Sequence, residues 1–235
     1  MVKSGEFARG MHDGIPIGLG YLSVSFAFGI QAILLGLTPA QAVLISMTNL
    51  TSAGQLAGLQ VMAAGGPLFE MALSQLVINL RYALMSLTLT QKFDARMGRG
   101  KRMLAAFGNT DEIFAVSASQ KQSVTGTYFA GLVSLPYVGW TLGTLLGALG
   151  GQLLPPALTS ALGLALYGMF LAIIIPPSKK HKNVLFVVAA AAVCSCALAH
   201  FLPGLSGGMR IIVCAVVLAA MGAALFPVDE KEENA

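Results

Sequence analysis

Read for hydrophobic and polar positions, the chain is a series of apolar segments at about 14–37, 40–64, 68–90, 124–149, 155–175, 184–202 and 207–226. Each is close to the roughly 20 residues that a helix needs to cross about 30 Å of hydrocarbon. The punctuation between them stops helices: Thr38-Pro39, Gly65-Gly66-Pro67, Pro155-Pro156, Pro176-Pro177 and the basic turn Lys179-Lys180-His181-Lys182. The pattern predicts an all-α protein, a polytopic transmembrane helical bundle of about seven apolar segments, some of them broken or re-entrant. Three regions are expected: a short interfacial helix over 1–13, a single transmembrane domain over 14–228, and a polar acidic tail over 229–235 that is disordered.

Four polar departures from this pattern carry the interest. The second segment is interrupted by Ser46-Met47-Thr48-Asn49-Leu50-Thr51-Ser52-Ala53-Gly54-Gln55. Hydrocarbon offers backbone groups no hydrogen-bond partners, so hydroxyls, amides and glycine at that depth imply a backbone that lines a cavity or packs on another helix. We take Asn49, Thr51, Ser52, Gly54 and Gln55, with Asn79 and Arg81 of the third segment, as candidates for binding a substrate. The first segment opens on Gly14-Ile15-Pro16-Ile17-Gly18, where the glycines permit either close helix contact or an opened backbone; Gly14, Pro16 and Gly18 are the candidate helix break. The third segment carries Asn79-Leu80-Arg81-Tyr82, and an Arg facing lipid costs about 2.5–3.5 kcal/mol on insertion scales, so Arg81 should face the bundle, a cavity or, by snorkelling, the interface.

The fourth departure follows the longest polar region, which holds Lys92, Arg96, Arg99, Lys101 and Arg102 against Asp94. Residues 103–120 are too short and mixed for a span and read as two half-helices. Gly108 and Asn109 end the first; Thr110 caps the second, whose first turn holds Asp111 and Glu112, where the helix dipole favours acids. A faint repeat relates 34–46 to 153–164, each placing a Pro-started helix in comparable positions of the two halves.

Composition agrees with the pattern: 56% of residues are hydrophobic, 10% are charged and the mean hydropathy is +0.76. The net charge of +4 sits in loops and speaks to orientation, not to nucleic acid. The first apolar run is as long as a full span and lacks a small-residue cleavage pattern, so it is expected to stay as a helix. The basic loops after the third and fifth segments fall on one side, which the positive-inside rule makes cytoplasmic. Counting back three crossings puts the N-terminus outside; a re-entrant second segment, or a crossing by 103–120, moves it inside. Cys194, Cys196 and Cys214 lie in apolar runs and read as reduced packing residues.

The chain lacks H-E-x-x-H, G-x-S-x-G, a Walker loop and C-x-x-C, and His12, His181 and His200 are scattered. An enzyme and a built-in ATPase are disfavoured, and no metal or cofactor is expected. What remains suits a transporter of small amphipathic solutes. A free amino acid needs donors for its carboxylate, acceptors for its ammonium and an apolar pocket for its side chain. The opened backbone at 51–55 with Asn49 and Gln55 can serve the first need. Asp111 or Glu112 can serve the second or carry a coupling proton, with Thr110 beside them, because carboxyls at low dielectric hold protons more tightly.

Four stretches carry a resemblance to a known family: Gly14-Ile15-Pro16-Ile17 with Val24-Ser25-Phe26-Ala27-Phe28-Gly29; Ala53-Gly54-Gln55-Leu56; Asn79-Leu80-Arg81-Tyr82; and Ala106-Phe107-Gly108-Asn109-Thr110-Asp111-Glu112-Ile113-Phe114-Ala115. With these, the chain resembles the AzlC family, the large subunits of two-component branched-chain amino acid exporters. The resemblance covers the first half well and the second only through its apolar pattern. It implies a multi-pass protein of the bacterial inner membrane that exports leucine, isoleucine, valine and methionine, energised by the proton gradient, with a small AzlD-type membrane partner. Two departures stand out. Where the family has Gly-Ala-Ser-Gln this chain has Ser52-Ala53-Gly54-Gln55, and where Asp-x-Arg-His is common it has Asn79-Leu80-Arg81-Tyr82. The missing acid and imidazole beside Arg81 make Asp111 and Glu112 the expected titrating groups. A non-transporting scaffold subunit and a passive channel are the rival readings.

Overall fold

The structure, a computed structural model, describes residues 2–151, 155, 168, 171 and 174–227, with the backbone alone for 2–4. Expectations for 155–175, for 153–164 and for the tail at 229–235 fall, isolated positions aside, outside the described residues. The named helices are α1 (Val2–Leu34), α2 (Pro39–Thr48), α3 (Ala53–Ala63), α4 (Leu68–Lys92), α5 (Arg99–Phe107), α6 (Asp111–Ala118), α7 (Gly126–Gly150), α8 (Lys182–Phe201) and α9 (Gly207–Leu225). Among the described residues, five helices are long and apolar enough to cross a membrane: Gly5–Leu34, Leu68–Lys92, Gly126–Gly150, Lys182–Phe201 and Gly207–Leu225. The fold is an all-α membrane bundle.

Local chemistry sets the helix boundaries. Thr38 caps α2 through a capping box in which Gln41 Oε1 accepts from the Thr38 backbone N–H at 2.8 Å, with Pro39 opening the helix. Gly36 and Gly65, at φ +93° and +63°, turn the chain out of α1 and α3 in the left-handed region that glycine tolerates. The expected interruption of the second segment is a true break: α2 ends at Thr48, α3 begins at Ala53, and Ser52 sits between them at φ +39°. Residues 103–120 likewise form two short helices, α5 and α6, around Gly108 and Asn109.

Two expectations are corrected. Residues 2–13 are not a separate interfacial helix but the opening turns of α1. Nor does the chain break at Gly14, Pro16 and Gly18, because α1 is one helix through all three. The glycines take the other role: a Cβ at Gly14 would crowd the Leu132 carbonyl and the Pro136 ring, and one at Gly18 would lie 3.0 Å from the Leu135 carbonyl oxygen.

Contacts divide the chain into two units, one of 1–59 with 79–166 and one of 60–78 with 167–235. The first unit is built on α1 against α7. Glycines recur at four-residue intervals on both and each lets the other helix's backbone approach: Gly10 and Gly14 lie against the carbonyls of Tyr128 and Leu132, Gly18 meets Gly139, and Gly143 and Gly147 lie against the carbonyls of Leu22 and Phe26. Polar ties reinforce the start of this pair: Thr125 donates to Glu6 at 2.7 Å and Tyr128 to Asp13 at 2.7 Å. The loop after α4 is braced by Arg102, which donates to the carbonyls of Met97, Thr90 and Asp94. In the second unit, Glu70 in the first turn of α4 accepts from Ser206 Oγ at 2.5 Å, and Ser206 caps α9. Cys194 and Cys214 lie 3.6 Å apart at sulfur as free thiols.

The α1–α7 contact predicts a contrast between two glycines. In Gly147→Ala the new Cβ overlaps the Phe26 carbonyl, and overpacking of this kind costs about 1–3 kcal/mol. Gly20 has nothing within 4 Å, so Gly20→Ala is neutral or stabilising by up to about 1 kcal/mol. Thermal denaturation in detergent should show a lower midpoint for the first variant alone; equal midpoints would contradict the close-packed interface.

Candidate functional site

The polar residues at the two helix breaks are joined by side chains from α1 and α7. At the first break, Asn49 Oδ1 accepts from the Thr51 backbone N–H at 3.0 Å and from Thr51 Oγ1 at 2.7 Å, folding the connection into a tight turn. This turn starts α3 so that Gln55, in its first turn, points inward and is only 2% exposed. Its carbonyl oxygen accepts from Trp140 Nε1 at 2.9 Å, and its amide donates to Ser46 Oγ at 3.1 Å. Ser46 shares a 2.7 Å hydrogen bond with Thr144 Oγ1, which donates in turn to the Trp140 carbonyl at 3.0 Å. Buried side-chain amides and hydroxyls must be matched in this way, since an unmatched one costs about 1–3 kcal/mol.

At the second break, Thr110 caps α6, its side chain accepting from the Ile113 backbone N–H. Tyr21, from the middle of α1, contacts Thr110 Oγ1 at 2.6 Å and Glu112 Oε2 at 2.5 Å. The Tyr21 and Trp140 rings meet edge to face at 5.1 Å, and Leu50 from the first break packs in the same cluster. The two breaks are therefore linked through one aromatic pair. Asn109 Nδ2 donates to Ser86 Oγ at 3.0 Å, and Arg81 Nη2 lies 2.8 Å from Asp111 Oδ2, so α4 holds the second break from its other side.

Exposure grades along this chain of contacts. Ser46 and Thr144 are fully buried, Trp140 and Gln55 are 2% exposed and Tyr21 8%, whereas the Arg81 and Asp111 side chains are 48% and 45% exposed. The charged end is open and the amide end is sealed. Arg81 also lies over the Tyr82 ring, 5.0 Å from its centroid, and donates to its hydroxyl at 3.3 Å. Among the described residues no group of three His, Cys, Asp or Glu side chains could hold a metal ion.

Of the sequence candidates, the structure brings together Gln55, Thr110 and Glu112, with Arg81 and Asp111 paired beside them. Asn49, Thr51, Ser52 and Gly54 build the turn that aims Gln55, and Asn79 lies half-buried on α4 two residues before Arg81. Gly14, Pro16 and Gly18 belong to the α1 helix and its packing. Sequence reasoning missed Tyr21, Trp140 and Thr144. Their signal was present: Trp140 is the only tryptophan, set in a Gly-rich apolar segment, where its N–H needs a partner.

Long apolar helices, two helices broken at polar residues and an aromatic pair that links the polar groups of the breaks define a multi-pass membrane protein of the transport type. The comparisons agree with that class. The family model described as AzlC protein matches residues 16–154, which is more than half of the chain and contains both breaks. The chain belongs to the AzlC family. It is 31% identical over 194 residues to the Escherichia coli K12 protein named Inner membrane protein YgaZ, covering 80% of this chain and 79% of that one. It is 32% identical over 193 residues to a protein of Archaeoglobus fulgidus named Uncharacterized membrane protein, covering 81% and 84%. A Helicobacter pylori J99 protein with the same description is 26% identical over 231 residues, 94% and 96% of the two chains. No solved structure matches the chain.

Trp140→Phe keeps the ring and removes the donor to Gln55, leaving a buried amide oxygen unmatched at a cost of about 1–3 kcal/mol. Gln55→Leu added to Trp140→Phe removes the orphan, so the double variant should lose less than the sum of the two single variants. Additive losses in thermal midpoint would show that the bond is not formed.

Proposed function

We propose that this protein is the larger subunit of a bacterial inner-membrane exporter of branched-chain and other apolar amino acids, coupled to the proton gradient and acting with a small AzlD-type membrane partner. One observation carries the reading: in a chain of the AzlC family, the polar groups at the two helix breaks are joined through the ring contact of Tyr21 with Trp140. Half-helix termini that meet in this way are how secondary transporters bind charged substrates within the bilayer.

The chemistry at the open end suits a zwitterion. Arg81 and Asp111 already pair, and an amino acid can exchange partners with them, its carboxylate onto Arg81 and its ammonium onto Asp111, without changing the charge of the site. The turn made by Asn49, Thr51, Ser52 and Gly54, which Gln55 anchors from its sealed side, offers further backbone amides, and the apolar surroundings of Leu50 suit an aliphatic side chain. Asp111 or Glu112 carries the coupling proton, and Thr110 fixes the start of α6 on which both stand. A scaffold subunit would need none of this.

The reading predicts saturable leucine counterflow in proteoliposomes that contains this chain and its partner and fails without the partner. Asp111→Asn combined with Glu112→Gln should abolish proton-driven export while expression is kept; unchanged flux would refute the coupling role. Arg81→Gln removes a charged hydrogen bond worth about 1.5–3 kcal/mol, so the apparent affinity for leucine should fall about 10- to 100-fold. Unchanged affinity would place the carboxylate elsewhere.

A further inference from the structure

The first unit holds a groove of about 1110 Å³ between α5 and α7 that the network above does not use. Small-molecule sites run to roughly 300–1,000 Å³, so the groove has room for an amino acid with its hydration. Along α7 it reaches from Thr125 to Tyr137, and at 1.5 Å per residue that is about 18 Å. Its two ends differ in chemistry. The end toward the 93–102 loop is lined by Glu6, Asp94, Arg96 and Lys101; the inner end is lined by Phe107, Val133 and Tyr137.

At the loop end the charges are divided. Arg96 donates its guanidinium and its backbone N–H to Asp94, which holds that carboxyl below the usual carboxylate range. Glu6 accepts from the Thr125 hydroxyl, and among the described residues neither Glu6 nor Lys101 forms an ion pair. The Glu6 carboxylate, which feels the Arg96 charge without forming an ion pair, and the Lys101 ammonium, outside any ion pair among the described residues, face the same opening. That arrangement matches a zwitterion, whereas a phospholipid phosphate would meet the Glu6 and Asp94 carboxylates as like charges.

At the inner end the groove stops against both helix breaks. The Phe107 and Tyr137 rings meet edge to face at 6.0 Å. Tyr137 donates to the Met47 carbonyl at 3.1 Å, one residue before the end of α2, and Gly108, also on the lining, begins the break that leads to Thr110. The aromatic pair thus stands between the groove and the network around Tyr21.

We propose that the α5–α7 groove is a second binding site, an access vestibule for apolar amino acids on the side of the 93–102 loop, and that Phe107 and Tyr137 close its inner end. The inference rests on the transport reading above and adds where the substrate waits before it reaches Arg81. The basic loop marks the cytoplasmic side by the positive-inside rule, which is the side from which an exporter loads.

The test replaces Cys194, Cys196 and Cys214 by alanine, adds Ser134→Cys or Ala130→Cys on the groove wall, and labels the protein, reconstituted with its partner, with a membrane-impermeant methanethiosulfonate. Labelling from the loop side should slow at least three-fold with saturating leucine but not with choline, and should cut leucine counterflow at least five-fold relative to the same variant before labelling. Labelling that leucine does not slow overturns the vestibule, even where counterflow itself is intact. Absent labelling also overturns it: recovery on omitting the partner would mean that a partner helix fills the groove, and recovery on delipidation an acyl chain. Failure of counterflow before any labelling would instead reject the transport reading, and leucine protection, scored on the thiol alone, would still decide the vestibule.

Discussion

The site depends on the contact between α1 and α7, in which glycine on one helix faces backbone on the other. Such contact gains dispersion from main-chain atoms and fixes the two helices along their length, because a shift would drive carbonyl oxygens together. Tyr21 stands on one of these helices and Trp140 on the other. Their edge-to-face contact and the two polar handles they extend are consequences of that register. The helix breaks, weak structures by themselves, borrow their positions from this rigid pair.

The membrane class, the helix ends at Thr38 and Gly65, and both breaks were legible in the sequence, because each is written in local chemistry: proline and capping residues, glycine, or polar residues in an apolar run. Partners across the bundle were not. Nothing local tells that Gln55 is bonded by Trp140, at a sequence distance of 85, or that Tyr21 reaches Glu112 at a distance of 91. The motif Gly14-Ile15-Pro16-Ile17-Gly18 shows the limit most clearly. Glycine spaced by four suits both an opened backbone and a close helix contact, and only the α7 backbone at Leu132 and Leu135, pressed against Gly14 and Gly18, decides for contact. Pro16 is accommodated inside α1 without ending it.

The charged end and the amide end of the network have different tasks. A matched, buried chain such as Ser46–Gln55–Trp140 resists change, since breaking any member leaves another unmatched. The Arg81–Asp111 pair is half-exposed and can exchange partners at small cost, as the proposed substrate would require. Tyr21 lies where the two regimes meet, bonded to the cap of α6 and set edge to face on the tryptophan of the sealed end. Thr110 and Glu112 are linked to the first helix break through the Tyr21 and Trp140 rings.

The measurement that tests this most directly is the fluorescence of Trp140, the chain's only tryptophan, as leucine is titrated into the reconstituted protein with any tryptophan of the partner replaced by phenylalanine. The account predicts a saturable change in emission at the concentrations that support counterflow, lost in Tyr21→Phe while leucine still binds. Emission that stays constant while leucine binding saturates by an independent assay would contradict it, because the two breaks would then not share a site.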